Sequence, residues 1–259
     1  MTFLEAIIVA IVEGITEFLP ISSTGHMIIT QAILGIPPSD FVKAFTVNIQ
    51  FGAILSVIVL YWKRFFQSWG FYKTIGIGCL PLIIAYLLDD VVDAMFGSVL
   101  IVAIAMVAGG VVLIFVDKWF YRPENEETKL TNYKALYIGL FQIIAVIPGV
   151  SRSAATIIGG LSQKLSRRQA AEFSFFLAIP TMFAASVFKL SSISKSISFD
   201  DIPILVVGNV VAFIVAMIAI KSFITYLTRH GLKIFGYYRI VVGLVLIILI
   251  LADYSLNIT

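Results

Sequence analysis

Residues 97 to 117 read GSVLIVAIAMVAGGVVLIFVD, an apolar run with one charge, at its far end. About 20 such residues are what an α-helix needs to cross a hydrocarbon core about 30 Å thick. The chain holds six stretches of this kind, at about 43–62, 74–92, 97–117, 168–190, 202–227 and 235–252. Composition agrees: 60% of the 259 residues are hydrophobic and only 13% charged. That balance excludes disorder and fits a soluble domain poorly. The expectation is an all-α polytopic membrane protein, with membrane lipids as its surroundings. The net charge of +3 comes from loop lysines and arginines and implies no nucleic-acid partner. A single Cys79 excludes an intrachain disulfide and a CxxC metal site. No cleavable signal peptide is expected, because no basic segment precedes the first apolar stretch and Glu13 and Glu17 interrupt it.

Two further stretches, 2–34 and 133–162, are apolar but broken in the middle. The first is broken by Pro20 with Ser22, Ser23, Thr24 and Gly25, the second by Pro148, Gly149, Ser151, Arg152 and Ser153. Proline and glycine with a string of hydroxyls stop a helix, and non-helical backbone at membrane depth survives only inside protein or along a wet cavity. Both stretches are therefore expected to be re-entrant helical hairpins. The loops at 63–73, 118–134, 163–168 and 228–234 then share one side. They carry twelve Lys and Arg, against Lys43, Lys189 and Lys195 on the other, which also holds Asp40, Asp89, Asp90, Asp93, Asp200, Asp201 and Asp253. The positive-inside rule puts the basic side in the cytoplasm and both termini outside, so the first hairpin enters from outside and the second from the cytoplasm.

Opposed hairpins suggest an internal repeat. Gly14 to Glu17 (GITE) aligns with Gly139 to Gln142 (GLFQ) at an offset of 125, and AFTVNIQFGAILSVIVLYWK aligns with EFSFFLAIPTMFAASVFK at an offset of 128. Each half holds three spanning helices, an odd number, so the second copy is inverted. The expected repeats cover about 1–117 and 133–252 of a single membrane domain. Inverted repeats with broken helices place a binding site near the midplane, where the breaks meet.

Glu13 and Glu17, spaced i, i+4, share one helix face. Two like charges in a bilayer need compensation, either from a hard divalent cation such as Mg²⁺ or Ca²⁺ or from Arg152 on the opposing break. Ser22, Ser23, Thr24 and His26 follow Pro20. They suit a hydroxyl nucleophile with an imidazole base, or a phosphate grip with a histidine acid, although SSTGH alone is also an ordinary helix N-cap. The second break, PGVSRSAAT, sets Arg152 between Ser151 and Ser153 at the expected start of a half-helix, where free N–H groups and a guanidinium suit a phosphate. Lys221, Arg239 and Glu172 are expected near cytoplasmic helix ends, snorkelling or pairing at the interface. His230 is expected to be solvated. Trp62, Trp69 and Trp119 suggest an aromatic belt, and the acidic run at 124–127 a solvated loop.

EGITEFLPISSTGH together with PGVSRSAAT resembles the two signature segments of the undecaprenyl-diphosphatase family, membrane phosphatases linked to bacitracin resistance. The likeness runs over nearly the whole chain. It implies hydrolysis of undecaprenyl diphosphate to the monophosphate and phosphate, which recycles the lipid carrier of peptidoglycan synthesis. It further implies a divalent metal, a bacterial inner-membrane location with the active site facing the periplasm, and a homodimer. By that resemblance Glu13, Glu17, Ser23, His26 and Arg152 are catalytic, and Ser151, Arg152, Ser153 and Thr156 hold phosphate, joined by Ser22 and Thr24 of the first break. Glu13 and Glu17 are the metal candidates. Ser23 as nucleophile with His26 as its proton partner competes with attack by metal-bound water. A carrier or flippase of polyprenyl phosphate on the same inverted-repeat fold is the alternative function.

Overall fold

The computed structural model describes residues 1–66, 69–86, 95, 98–120, 128–193 and 198–252. Asp89, Asp90, Asp93, Arg122, the acidic run 124–127, Lys195 and Asp253 lie outside the described residues. The described chain is helical: α1 (Phe3–Thr16), α2 (Ser23–Leu34), α3 (Asp40–Leu60), α4 (Trp69–Cys79), α5 (Leu82–Tyr86), α6 (Val99–Trp119), α7 (Asn132–Ile144), α8 (Arg152–Ser162), α9 (Arg167–Ile193), α10 (Ile202–His230) and α11 (Lys233–Leu251). Hydroxyl side chains start many of them. Thr2 and Glu5 form a capping box on α1, and Ser39, Ser98 and Thr131 cap α3, α6 and α7.

Among the described residues, four helices are long and apolar enough to cross a membrane: α3, α6, the segment Phe199–His230 that contains α10, and α11. Helix α9 is longer than α3 at 27 residues, but its first turns carry Arg167, Arg168 and Glu172 and Pro180 interrupts it. The stretch expected to span at 74–92 begins earlier, at Trp69, and breaks after Cys79. Pro81 has no N–H and its ring crowds the preceding turn, so the helix cannot continue through it. Residues 87–92 of that stretch lie outside the described residues.

Small residues set the packing. Gly14 of α1 lies against the backbone of Ala212 and Ala216 in α10, and Gly139 of α7 against that of Gly78 in α4; an added Cβ at either would overlap those chains. Helices α6 and α11 approach through Gly110 and Gly236 in the same way, each abutting the other's carbonyl. The two breaks thereby come to lie between α3 and α9 on one side and α6 and α11 on the other.

One end of the molecule gathers the basic loops. Arg64 and Arg168 both reach Glu172, at 3.9 and 2.9 Å. Arg167 pairs with Asp117 at 2.8 Å, Asp117 also accepts from Leu232 N–H at 2.6 Å, and Thr128 donates to the Lys164 carbonyl. Glu172 is thus an ion-pair partner of Arg64 and Arg168. The exposed Trp62, Trp69 and Trp119 follow the same basic segments. At the other end the chain start packs with Val42 and Ile204.

Candidate functional site

Both breaks are built alike. In the first, α1 stops at Thr16, and Ser22 caps α2 with φ +71°; in the second, α7 stops at Ile144, and Ser151 caps α8 with φ +70°. Positive φ is strained for a residue with a side chain, costing about 1–3 kcal/mol, and such residues collect at functional sites. Each serine offsets part of the cost by accepting an N–H of the first turn: Ser22 Oγ from Gly25 at 3.4 Å, Ser151 Oγ from Ala154 at 3.3 Å. Gly149, at φ +93°, has room for no Cβ against the Val102 backbone.

The breaks meet around Glu17. Its Oε1 accepts from Arg152 Nη2 at 2.8 Å, and its Oε2 from the Ser23 hydroxyl at 2.8 Å. The Arg152–Glu17 pair is largely enclosed, the side chains 16% and 8% exposed. A second tie runs from Ser153 Oγ to the Leu19 carbonyl at 2.7 Å. Arg152 is held further by the Ser174 carbonyl, by Met182 Sδ and by the buried ring of Phe18, 5.8 Å from its guanidinium carbon. Its Nε–H is buried without a partner. Thr156 lies one layer back, fully buried, bonding the Arg152 carbonyl and the Ser174 hydroxyl. Ser151 and Thr24 remain partly exposed at the two half-helix starts.

His26 is placed differently from the expected Ser23–His26 pair. Its Nδ1 meets the Ser22 carbonyl at 2.7 Å, and a carbonyl only accepts, so the ring proton sits on Nδ1. Nε2 therefore accepts, from the Tyr238 hydroxyl at 2.7 Å, with the two rings stacked. Glu17, not His26, is the acceptor beside Ser23.

The residues present suit the expected cation. Glu13 lies against Glu17, and its Oε1 is buried without a partner. Two adjoining carboxylates with one orphaned oxygen form a hard-oxygen donor set of the type Mg²⁺ or Ca²⁺ takes. Among the described residues no cluster of three or more His, Cys, Asp or Glu exists, so further ligands would be backbone, amide, hydroxyl, water or phosphate oxygens.

Three residues escape sequence reasoning. Ser174 and Tyr238 are ordinary helix residues until their partners are known. Arg239 is a correction: expected to snorkel or pair at a helix end, it is 0% exposed and turns inward to the breaks. Helix α11 starts at Lys233, so Arg239 sits about 9 Å along it. The signal available was Gly109–Gly110 on the facing helix, which leaves room for the guanidinium.

Comparison with known proteins follows the same residues. The chain is 55% identical over 261 residues to an undecaprenyl-diphosphatase of Bdellovibrio bacteriovorus, covering 99% of each chain. It is 54% identical to one of Flavobacterium johnsoniae, covering 96% of each, and 48% identical to one of Aquifex aeolicus, covering 95% of this chain and 97% of the relative. The profile of a family described as bacitracin resistance protein BacA matches residues 6–245, a span that contains both breaks, and the chain belongs to that family.

Proposed function

We propose that this chain hydrolyses undecaprenyl diphosphate to undecaprenyl phosphate and phosphate in the bacterial inner membrane. It thereby recycles the lipid carrier of peptidoglycan synthesis and confers bacitracin resistance. The observation that carries this reading is the Ser23–Glu17–Arg152 network, which joins residues 135 apart in sequence across two strained breaks. The phosphatase names of the relatives favour hydrolysis over carriage.

The terminal phosphoryl group lies between the starts of α2 and α8. Its charge is met by amide N–H groups, the hydroxyls of Ser22, Thr24, Ser151 and Ser153, and the unpartnered Nε–H of Arg152. Thr156 supports Arg152 from behind. Ser23 Oγ attacks the terminal phosphorus, its proton passes to Glu17 Oε2, and the P–O–P bond breaks to release undecaprenyl phosphate. Water then adds its OH to phosphorus as the Ser23 Oγ–P bond breaks; the water proton passes by way of His26 Nε2 to solvent with the released phosphate, and Glu17 returns its proton to Ser23. Glu13 and Glu17 would hold a divalent cation, which when bound neutralises phosphoryl charge. The first isoprene units of the tail fit an apolar groove of about 500 Å³ between α6, α7 and α8, lined by Ile101, Ile104, Phe141, Ile144 and Ile158 and reaching Val150 and Ala154 beside Ser151, with the rest of the tail in lipid.

The membrane arrangement belongs to the same proposal: six spanning helices and two re-entrant hairpins, in inverted repeats of about 1–117 and 133–252. The site faces the periplasm and both termini lie outside. Matching details support the repeat. Ser22 and Ser151 share one conformation, and Gly14 and Gly139 share one packing role. The aligned positions Gly52 and Pro180 both depart from an ordinary helix residue: Gly52 N–H donates to the Asn209 side chain, and Pro180 has no N–H to give. The homodimer rests on the family resemblance and is tested by light scattering of the protein in detergent.

The deciding experiment is phosphate release from undecaprenyl diphosphate by purified protein in detergent. Activity lost on EDTA treatment and in Arg152→Ala is expected. A Ser23→Ala variant with most of its rate intact removes the phosphoserine step.

A further inference from the structure

Arginine carries five N–H groups in a rigid fork. In Arg239 all five nitrogen–hydrogen positions have an acceptor, and all the acceptors are backbone carbonyls. Nε donates to Met106 at 3.3 Å; Nη1 to Pro20 at 3.2 Å and Val150 at 2.9 Å; Nη2 to Ala105 at 3.1 Å and Gly149 at 2.8 Å. Among the described residues no carboxylate lies within ion-pair distance of it. A single guanidinium thus joins three segments: the first break, the second break and the middle of α6. One atom, Nη1, bonds both breaks at once.

We infer that Arg239 is the positioning residue that sets the two breaks in register for phosphoryl transfer. This rests on the phosphatase reading above. Pro20 lies two residues before the strained Ser22 and three before Ser23. Val150 lies directly before the strained Ser151 and two before Arg152. Moving either carbonyl therefore moves the attacking hydroxyl relative to the guanidinium that meets the phosphate. The Glu17–Arg152 pair and the Ser153–Leu19 bond tie the breaks only to each other, whereas Arg239 ties both of them to α6. The facing helix is shaped for this: a Cβ on Gly109 would overlap Arg239 Nη2. Arg239 bonds backbone throughout and takes no part in the chemistry itself.

Arg239→Lys separates the clamp from its charge. A lysine keeps the cation but offers three donors from one point, which cannot bridge three segments. The clamp requires kcat per folded molecule to fall about 100-fold in this variant, as an ångström of misplacement does, with KM within about threefold of wild type. It also requires loss of coupling: Arg152→Lys, costly in the wild-type background, costs at least tenfold less when Arg239 is already lysine. A purely structural role lowers the folded yield and leaves turnover and coupling untouched, and a purely electrostatic role leaves Arg239→Lys at the wild-type rate. Either outcome overturns the inference. Gly109→Ala, which displaces the guanidinium without removing it, must show the same loss of kcat at unchanged KM; normal turnover in its folded fraction overturns the inference even where Arg239→Lys does not fold. If the phosphatase reading itself fails, wild type releases no phosphate, a result distinct from all of these.

Discussion

Two glutamates one turn apart have opposite structural duties. Glu17 has both oxygens bonded and balances Arg152, whereas Glu13 Oε1 is buried without a partner beside Glu17. Removing one partner of an enclosed ion pair costs about 3–5 kcal/mol, while removing one of two neighbouring like charges relieves repulsion. Glu17→Gln is therefore expected to lower both the thermal midpoint in detergent and kcat, the latter by about 10³-fold. Glu13→Gln should lose activity with its midpoint unchanged or raised. Equal destabilisation by both variants would contradict this division. Tyr238 gives a milder case. Tyr238→Phe keeps the ring stacked on His26 and deletes one hydrogen bond, so kcat should fall by about tenfold at unchanged stability.

At the scale of elements, backbone approach decides where helices sit. Gly139 meets the Gly78 carbonyl directly, whereas Gly76, on the same partner helix, faces open space. Gly139→Ala should lower the thermal midpoint, by the equivalent of about 1–3 kcal/mol of overpacking, and Gly76→Ala should leave it unchanged. Similar midpoints for the two variants would show that the α4–α7 contact is not backbone-limited. The breaks themselves were legible in sequence, because Pro20 and Pro148 followed by hydroxyl residues admit few alternatives to a helix stop with a capped restart. The Glu17–Arg152 pairing was legible as charge that needed an opposite charge. Arg239 was not: an arginine seven residues into an apolar helix reads the same whether it reaches out to headgroups or in to carbonyls. Its five acceptors come from three segments that only the fold brings together. The partner of Ser23 was obscured for a related reason, since His26, three residues away on the same half-helix, is nearer in sequence than Glu17, six residues away across the break.

Across the whole molecule the basic residues are unevenly divided between the loops, and this asymmetry predicts how the proposed site is oriented in the membrane. Arg64, Asp117, Arg167, Arg168 and Glu172 interlock at one end, tying together loops that are far apart in sequence. Among the described residues the loops assigned to that end carry eleven Lys and Arg, against Lys43 and Lys189 at the other. Each basic residue near an anionic inner leaflet contributes about 1 kcal/mol, so the difference outweighs any single loop and predicts a cytoplasmic position for that end. The prediction uses Asp200 and Arg229, exposed at opposite ends of the segment Phe199–His230, in a Cys79→Ser background. In spheroplasts a membrane-impermeant maleimide should label Asp200→Cys at once and Arg229→Cys only after permeabilisation. The reverse pattern would turn the molecule over, placing α1 and its termini inside, and would leave the diphosphate of the outer leaflet on the wrong side of the first break. Because the segment Phe199–His230 runs without interruption between these two positions, the two labels are expected on opposite sides.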